Sequence, residues 1–507
     1  MNKRETVKTE SVSNCFQLGK YKSCTDSFRG RRKMLPPVIV VFVLISLARG
    51  ENPAIQVTLT DKGLQYGTHV GAGWIQDKLE NITFPDISGE FPIGIFGSVG
   101  YTLTDMTITK CDFPEPSVEF YQNSTGFKTS ISGLSVALTG SWRTHYGAIH
   151  DGGSFNMAIF SVDVTSVVEL GKNPDGHLSV TSVSCNAQVG DVDIQFYGGV
   201  SWIFKPFVHH FKDRIRGKIQ DKICPNVEES IVNLEDHLQA MNVSFDVDPY
   251  LTLDLPLTDI PVVDDSSLNL GLKGEFYSIQ THAEPPFKAQ SFSMPAQPGY
   301  MLSLGLSEFS LNSASYACFS SGLFEALIND SMVPPSSPVR LNTSSMGPYI
   351  PQLPKMFPGL LMTLQVYANE APLLSFQAGA IKTGFPTTVK AFAMQSNGTH
   401  IPLFKLSVDS EFSGKVWIDG GRLKGSMALN NFTLTLDVSE VGTFKTDALE
   451  RIAKMGVTLA IQKLNRKLSD GVVLPRMKQA QLVNTVLEMD KGFIAIFSDV
   501  ELFTDFN

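Results

Sequence analysis

Residues 60–79 read TDKGLQYGTHVGAGWIQDKL. Leu64, Val70, Trp74, Ile75 and Leu79 recur at helical spacing, which predicts a helix with one apolar face. Gly63, Gly67, Gly71 and Gly73 nevertheless sit inside it. Each glycine costs about 1 kcal/mol against alanine in a helix interior. Glycine helps there only where something must approach the backbone closely: another element, a phosphate or a bound apolar chain. The phosphate option fails, because the chain contains no G-x-x-x-x-G-K-[ST] loop. Gly71-Ala72-Gly73 also lacks the third glycine of a dinucleotide turn.

Outward from this stretch, alternation dominates. Phe127, Thr129 and Ile131 alternate with their neighbours, as do Phe155, Met157 and Ile159, then Val192, Ile194 and Phe196. Phe432, Leu434, Leu436 and Val438 repeat the pattern late in the chain. These are half-buried antiparallel strands. Three further helices are predicted. One runs from Trp202 to about Met241, broken at Pro225; another covers 310–328; the last covers 448–468 with Leu449, Ile452, Leu459 and Leu464 on its apolar side. Helix, strands, helix and more strands thus occur twice, which predicts two copies of one architecture. The segment THAEPPFKAQSFSMPAQPG, 281–299, is a stiff proline-rich connector. A twisted sheet curled around a helix leaves an apolar space between them. The opening glycines then thin one wall so that an acyl chain can lie against the backbone; plain close helix–sheet packing is the competing reading.

The apolar run 35–48, LPPVIVVFVLISLA, follows RGRRK and is too short for a bilayer span, which needs about 20 residues. It has the form of a signal-peptide core, with Met34 as the working start, so 1–50 is the expected upstream segment and signal peptide. Residues 51–507 hold 31 basic and 47 acidic residues, a net of −16, which argues against a nucleic-acid partner. Export fits seven N-x-S/T sites that serve as glycosylation candidates: Asn81, Asn123, Asn242, Asn329, Asn342, Asn397 and Asn431. Cys111, Cys185, Cys224 and Cys318 remain after the signal, and four cysteines allow three pairings. A Cys185–Cys224 bridge would close a loop of about 40 residues.

No constellation points to catalysis or metal binding: there is no G-x-S-x-G elbow and no H-E-x-x-H. A non-enzyme without cofactor is expected. Six of the 13 basic residues in 51–276 fall in one helix, at Lys205, Lys212, Arg214, Arg216, Lys218 and Lys222. That helix reads as a core helix with solvated charges rather than as a membrane-surface helix.

Several motifs, taken together in order, resemble the bactericidal permeability-increasing protein and lipopolysaccharide-binding protein family. Its wider group includes the phospholipid and cholesteryl-ester transfer proteins. The motifs are DKGLQYG at 61–67, FPDISG at 84–89, the Cys185…Cys224 spacing, LKGEFYS at 272–278, PPF at 285–287, MLSLGLSEFSLNSA at 301–314 and LNRKLSDGVVLP at 464–475. WRTHYG…GGSF at 142–155 and VDIQFYGGVSWIF at 192–204 resemble the BPI fold-containing family C branch. The resemblance implies an α+β fold: two similar barrel-like domains of twisted antiparallel sheet with long helices, joined by a central sheet into a boomerang. The implied division is an N-terminal lipid-binding domain over 51–276, the linker over 277–299 and a C-terminal domain over 300–507. It also implies a Cys185–Cys224 disulfide and a phospholipid bound in each apolar pocket, with Leu64, Gly67, Val70, Gly71, Trp74 and Ile75 lining the first.

One departure from the resemblance bears on function. Antibacterial members of the family carry lysines at the tip of the first domain. Here residues 79–109 contain no Lys, Arg or His, and the tip is expected to present Phe91, Ile93, Ile95, Phe96, Trp142 and Arg143 to a lipid surface. The expected protein is a secreted, extracellular, monomeric lipid binder of innate-immune type. It would take lipopolysaccharide or related bacterial lipids, with activity against Gram-negative bacteria as the further implication. A phospholipid or neutral-lipid transfer protein is the alternative, and a lipid hydrolase the third.

Overall fold

The first described strand, Ile55–Thr60 (β1), leads without a break into α1, Asp61–Leu79. The computed structural model describes residues 51–79, 83–84, 86–92, 95, 97–199, 208–247, 249–333, 337, 339–474 and 480–502. The segment 1–50, with its expected signal, lies outside them.

After α1 come four long strands: β2 (Ser98–Asp112), β3 (Gly126–Tyr146), β4 (Ile149–Lys172) and β5 (Leu178–Tyr197). Each pairs antiparallel with its chain neighbour. At about 3.3 Å per residue, a straight strand of β4's 24 residues would span about 80 Å. Irregularities let such strands curl. The β2–β3 register slips between Thr104 and Thr107, where Asp105 takes φ 55°; the β3–β4 register slips between Ile131 and Leu134, where Gly133 takes φ 80°.

The curled sheet is covered by α2, Val208–Gln239. Ile215 is fully buried among Leu138, Met157, Ile159, Val192 and Ile194, with Ile219 and Ile223 packed beside them. The Cys185–Cys224 disulfide joins β5 to this helix across a Cα–Cα distance of 5.6 Å. The expected break at Pro225 does not occur, and the helix runs through it. Proline removes one i→i−4 hydrogen bond. The apolar face continues on both sides, with Ile223 in the cluster before the proline and Ile231 and Leu238 in a second cluster after it.

The chain then enters a second sheet. Ser267–Leu272 (β6) and Leu302–Ser307 (β7) flank β1 on either side. The β7 strand feeds α3, Glu308–Ser320, as β1 feeds α1. The helix expected over 310–328 ends at Ser320, where Gly322 takes φ 72° and Glu325–Asn329 turns into a strand against β8 (Leu361–Ala368). Leu327, inside the stretch expected to be helical, is 53% exposed on that strand.

The third sheet adds β9 (Thr387–Met394), β10 (His400–Asp419) and β11 (Arg422–Ser439), all antiparallel. Over it lies α4, Asp447–Asp470, with Leu449 buried among Leu406, Phe432 and Leu434. Finally β12 (Ala480–Asp490) and β13 (Phe493–Leu502) return to the second sheet, β13 pairing with β7. The central sheet therefore holds strands from both halves, in the order β6–β1–β7–β13–β12. The architecture is α+β, two curled antiparallel sheets joined by a central one. The linker packs on the face of that central sheet that carries Phe493, Ala495 and Phe497, with Phe292, Met294 and Tyr300 against them. A Cβ on Gly305 would lie 2.5 Å from Met294 Sδ and 2.7 Å from the Phe292 ring, so only glycine admits the linker there.

Candidate functional site

The α1 helix starts where Thr60 Oγ1 accepts the Gly63 amide at 3.3 Å, a side-chain cap, and Asp61 complements the first turn. It is tied to the sheets by Gln65 Nε2, which donates to the Val118 carbonyl at 3.1 Å, and by His69 beside Glu115 at 3.0 Å. Lys62 Nζ meets Asp499 Oδ1 of β13 at 2.7 Å. Burial works against the Asp499 charge, but Lys62, Asn484 and the Met301 amide outweigh it and hold the carboxyl below its usual range.

The four glycines of α1 divide. At Gly63 a Cβ would lie 2.5 Å from the Met301 carbonyl oxygen, so close packing explains that position. At Gly67, Gly71 and Gly73 a Cβ would meet nothing within 4 Å among the described residues. Gly67 and Gly71 lie three and seven residues after Leu64, on the same stripe. Leu64 and Val70 are half-buried. The stripe is thus an apolar surface with low relief. The side chains of Trp74 and Ile75 lie outside the described residues.

At the expected tip, Ile95 is 94% exposed and Arg143 is exposed. Trp142 is not a surface contact: it is 2% exposed, and its Nε1 donates to the Tyr197 carbonyl at 3.1 Å. Its ring meets Phe196 edge-on at 5.9 Å. Strand alternation is the cause, since Trp142 sits opposite the buried Leu103 on the inner face while Arg143 points outward. Gly153 leaves room for the indole, because a Cβ there would lie 2.8 Å from Nε1. Ile93, Phe96 and the side chain of Phe91 lie outside the described residues. Beside the tip, burial pushes the Tyr101 hydroxyl up, with Arg214 opposing it.

Three cations of α2 have partners, while Lys218 and Lys222 are exposed and Lys205 lies outside the described residues. Lys212 pairs with Asp193 at 2.6 Å, Arg216 with Asp213 at 3.2 Å, and Arg214 donates to the Glu90 carbonyl. Among the described residues no group of His, Cys, Asp or Glu is arranged to hold a metal, and no helix is long and apolar enough to cross a membrane. A cleft of about 500 Å³ lies between the linker and the start of α3, lined by Phe287, Phe292, Ser307 and Phe309. It is on the linker side, away from the α1 stripe. Asn123, Asn242, Asn397 and Asn431 are exposed; Asn329 and Asn342 are half-buried, their side-chain oxygens accepting the amides of Ser331 and Ser345. Asn81 lies outside the described residues. Cys111 is buried and Cys318 half-buried.

Comparison with known proteins fits this geometry. The family model "LBP / BPI / CETP family, N-terminal domain" matches residues 63–241, and the corresponding C-terminal domain model matches 245–502. A bactericidal permeability-increasing protein from Sebastes schlegelii is 36% identical over 91% of this chain and 98% of its own length. A lipopolysaccharide-binding protein from Homo sapiens is 27% identical over 92% and 98%. A BPI fold-containing family C protein from Homo sapiens is 24% identical over 92% and 94%. A crystal structure of lipopolysaccharide binding protein superposes with a TM-score of 0.54 at 24% identity, over 89% of this chain and 99% of that one. Sheets, helices and end-to-end likeness agree, and the chain belongs to the LBP / BPI / CETP family.

Proposed function

We propose that this is a secreted, extracellular lipid-binding protein of innate-immune type. It takes lipopolysaccharide or a related bacterial lipid, with acyl chains against the apolar wall of a half-barrel and the head group at its opening. One observation carries the reading. Relatives named for bactericidal permeability increase and for lipopolysaccharide binding align with 91–92% of this chain and 98% of their own length. The α1 stripe of Leu64, Gly67 and Gly71 supplies a low apolar wall in the first half. Burying an acyl chain is worth about 0.8 kcal/mol per methylene, so a long chain is held without any ionic contact.

A second reading, a phospholipid or neutral-lipid carrier without antibacterial action, is favoured by the scarcity of cations between residues 79 and 109. Attraction to lipid phosphates needs several cations within a Debye length, about 8–10 Å. The test is binding of the purified protein to lipopolysaccharide and to phosphatidylcholine vesicles across salt concentration, with mass spectrometry of co-purifying lipid. Salt-sensitive preference for lipopolysaccharide supports the first reading. Equal, salt-insensitive uptake supports the carrier, and release of free fatty acid would overturn both.

A further inference from the structure

We infer that the outward face of α4 is a docking surface for an anionic lipid bilayer, a contact separate from any lipid held inside the half-barrels. The inward face of α4 is satisfied: Leu449 and Ile461 are buried, and Ile452, Ala453 and Val457 pack on the sheet. On the opposite face, Met455 and Leu459 are 50% and 60% exposed. Arg451, Lys463 and Arg466 fall on that same side, at helical spacings of four, eight and eleven residues from Met455. Lys454 flanks them. All four cations are exposed, and none is in an ion pair among the described residues.

The charge balance chooses the partner. The helix carries five Lys or Arg against three Asp or Glu, and one of the three, Glu450, is occupied by the Leu434 amide at 3.1 Å. Residues 51–507 as a whole carry −16. An anionic surface therefore repels most of the molecule and attracts this face, which selects one orientation. Just past the helix end, Val472 is 72% exposed. A helix of mixed basic and apolar residues lies flat at the depth of lipid head groups. A helix of 24 residues offers about 36 Å of length to a flat surface.

The test is flotation of the full mature chain with phosphatidylcholine vesicles, with and without phosphatidylglycerol. Phosphatidylglycerol should raise binding about tenfold or more, and salt should reverse the gain. The double variant Lys463→Glu/Arg466→Glu should lose that gain. Leu459→Ser should weaken binding severalfold at every salt concentration, with an unchanged thermal midpoint. Lys218→Glu/Lys222→Glu on α2 should bind as the unaltered chain does. The inference is overturned if phosphatidylglycerol brings no gain, if the α2 variant loses as much as the α4 variant, or if α4 captures an acidic protein or heparin but no vesicle. Lipopolysaccharide uptake, measured alongside, should be the same in all variants, so failure here leaves the proposed lipid cargo untouched.

Discussion

The helices α2 and α4 hold the same place in the two halves, each following the last long strand and lying over the curled sheet, yet they are fastened differently. The α2 helix carries five basic and six acidic residues, is bonded to β5 through Cys185–Cys224, and commits Lys212, Arg214 and Arg216 to partners in the fold. Among the described residues the α4 helix has neither a bridge nor an ion pair. It is held by apolar packing, by Glu450 accepting the Leu434 amide, and by Asn465, whose amide exchanges two hydrogen bonds of 2.8 Å with the backbone of Met427 on β11. On α2 three of five basic residues are partnered, Arg216 by Asp213 of the same helix, whereas on α4 Arg451, Lys454, Lys463 and Arg466 are all exposed. The same architecture therefore leaves more basic charge on the outer face of its second copy than of its first.

The largest effect that would break this contrast is loss of the bridge. Cys224→Ala opens a link between residues 39 apart in sequence and should cost about 4 kcal/mol in the chain-entropy account. Urea unfolding under oxidising conditions measures it, and reducing the unaltered protein should give the same loss. A midpoint that does not move would mean that α2 is held by packing and hydrogen bonds without help from the bridge, as α4 is.

Next comes the packing that both helices share. Ile215→Ala on α2 and Leu449→Ala on α4 each remove a buried side chain and should cost about 3 kcal/mol. Leu459→Ala, at 60% exposure, should stay within about 0.5 kcal/mol. Equal losses at Leu449 and Leu459 would mean that the outer face of α4 is covered after all.

That pair also shows what the sequence could and could not reveal. The spacing of Leu449, Ile452, Leu459 and Leu464 marks a helix, and α4 exists. Periodicity does not say how wide the sheet beneath is, so Leu459 and Leu464 belong to the apolar pattern but not to the core. Trp142 failed in the opposite direction: beside Arg143 in a stretch read as a tip, it looked exposed, whereas strand alternation puts it inside. Pro225 looked like a helix end because local propensity is blind to the disulfide and the two apolar clusters around it. The Lys62–Asp499 contact spans 437 positions, and no local pattern carries such a signal. The twofold repeat was legible in the order of helices and strands, whereas the residues alone left three cysteine pairings open and only the family resemblance implied Cys185–Cys224.

A smaller effect separates the two leading helices, α1 and α3. The first is clasped to β13 by Lys62 and Asp499, while α3 instead offers Glu308 Oε2 to the Phe376 amide at 2.9 Å. The Asp499 carboxyl is held below its usual range, so its contribution is present above about pH 4 and is lost as pH falls through the lowered native value. Lys62 is 42% exposed at its side chain, and solvent screening keeps the pair to about 1 kcal/mol. Asp499→Asn should lower the unfolding midpoint at pH 7 by that amount and make no difference at pH 2. A difference that persists at pH 2 would assign the effect to packing rather than charge.

The smallest effect tests the stripe itself, by setting one glycine of α1 against the others. Gly63→Ala should destabilise, because its Cβ would press on the Met301 carbonyl. Gly71→Ala has open space and should stabilise by about 0.5–1 kcal/mol, chiefly by restricting the unfolded chain. A larger residue separates helix stability from lipid. Gly67→Leu would fill the stripe beside Leu64 and should lower the amount of co-purifying lipid while leaving the unfolding midpoint unchanged or raised. Gly73 lies nine residues after Leu64, half a turn away from the stripe, and is equally unobstructed. Gly73→Leu should therefore match Gly67→Leu in stability and leave the lipid content alone. If both variants lost lipid equally, α1 would be acting through its overall flexibility, and Gly67 and Gly71 would no longer mark the wall against which an acyl chain lies.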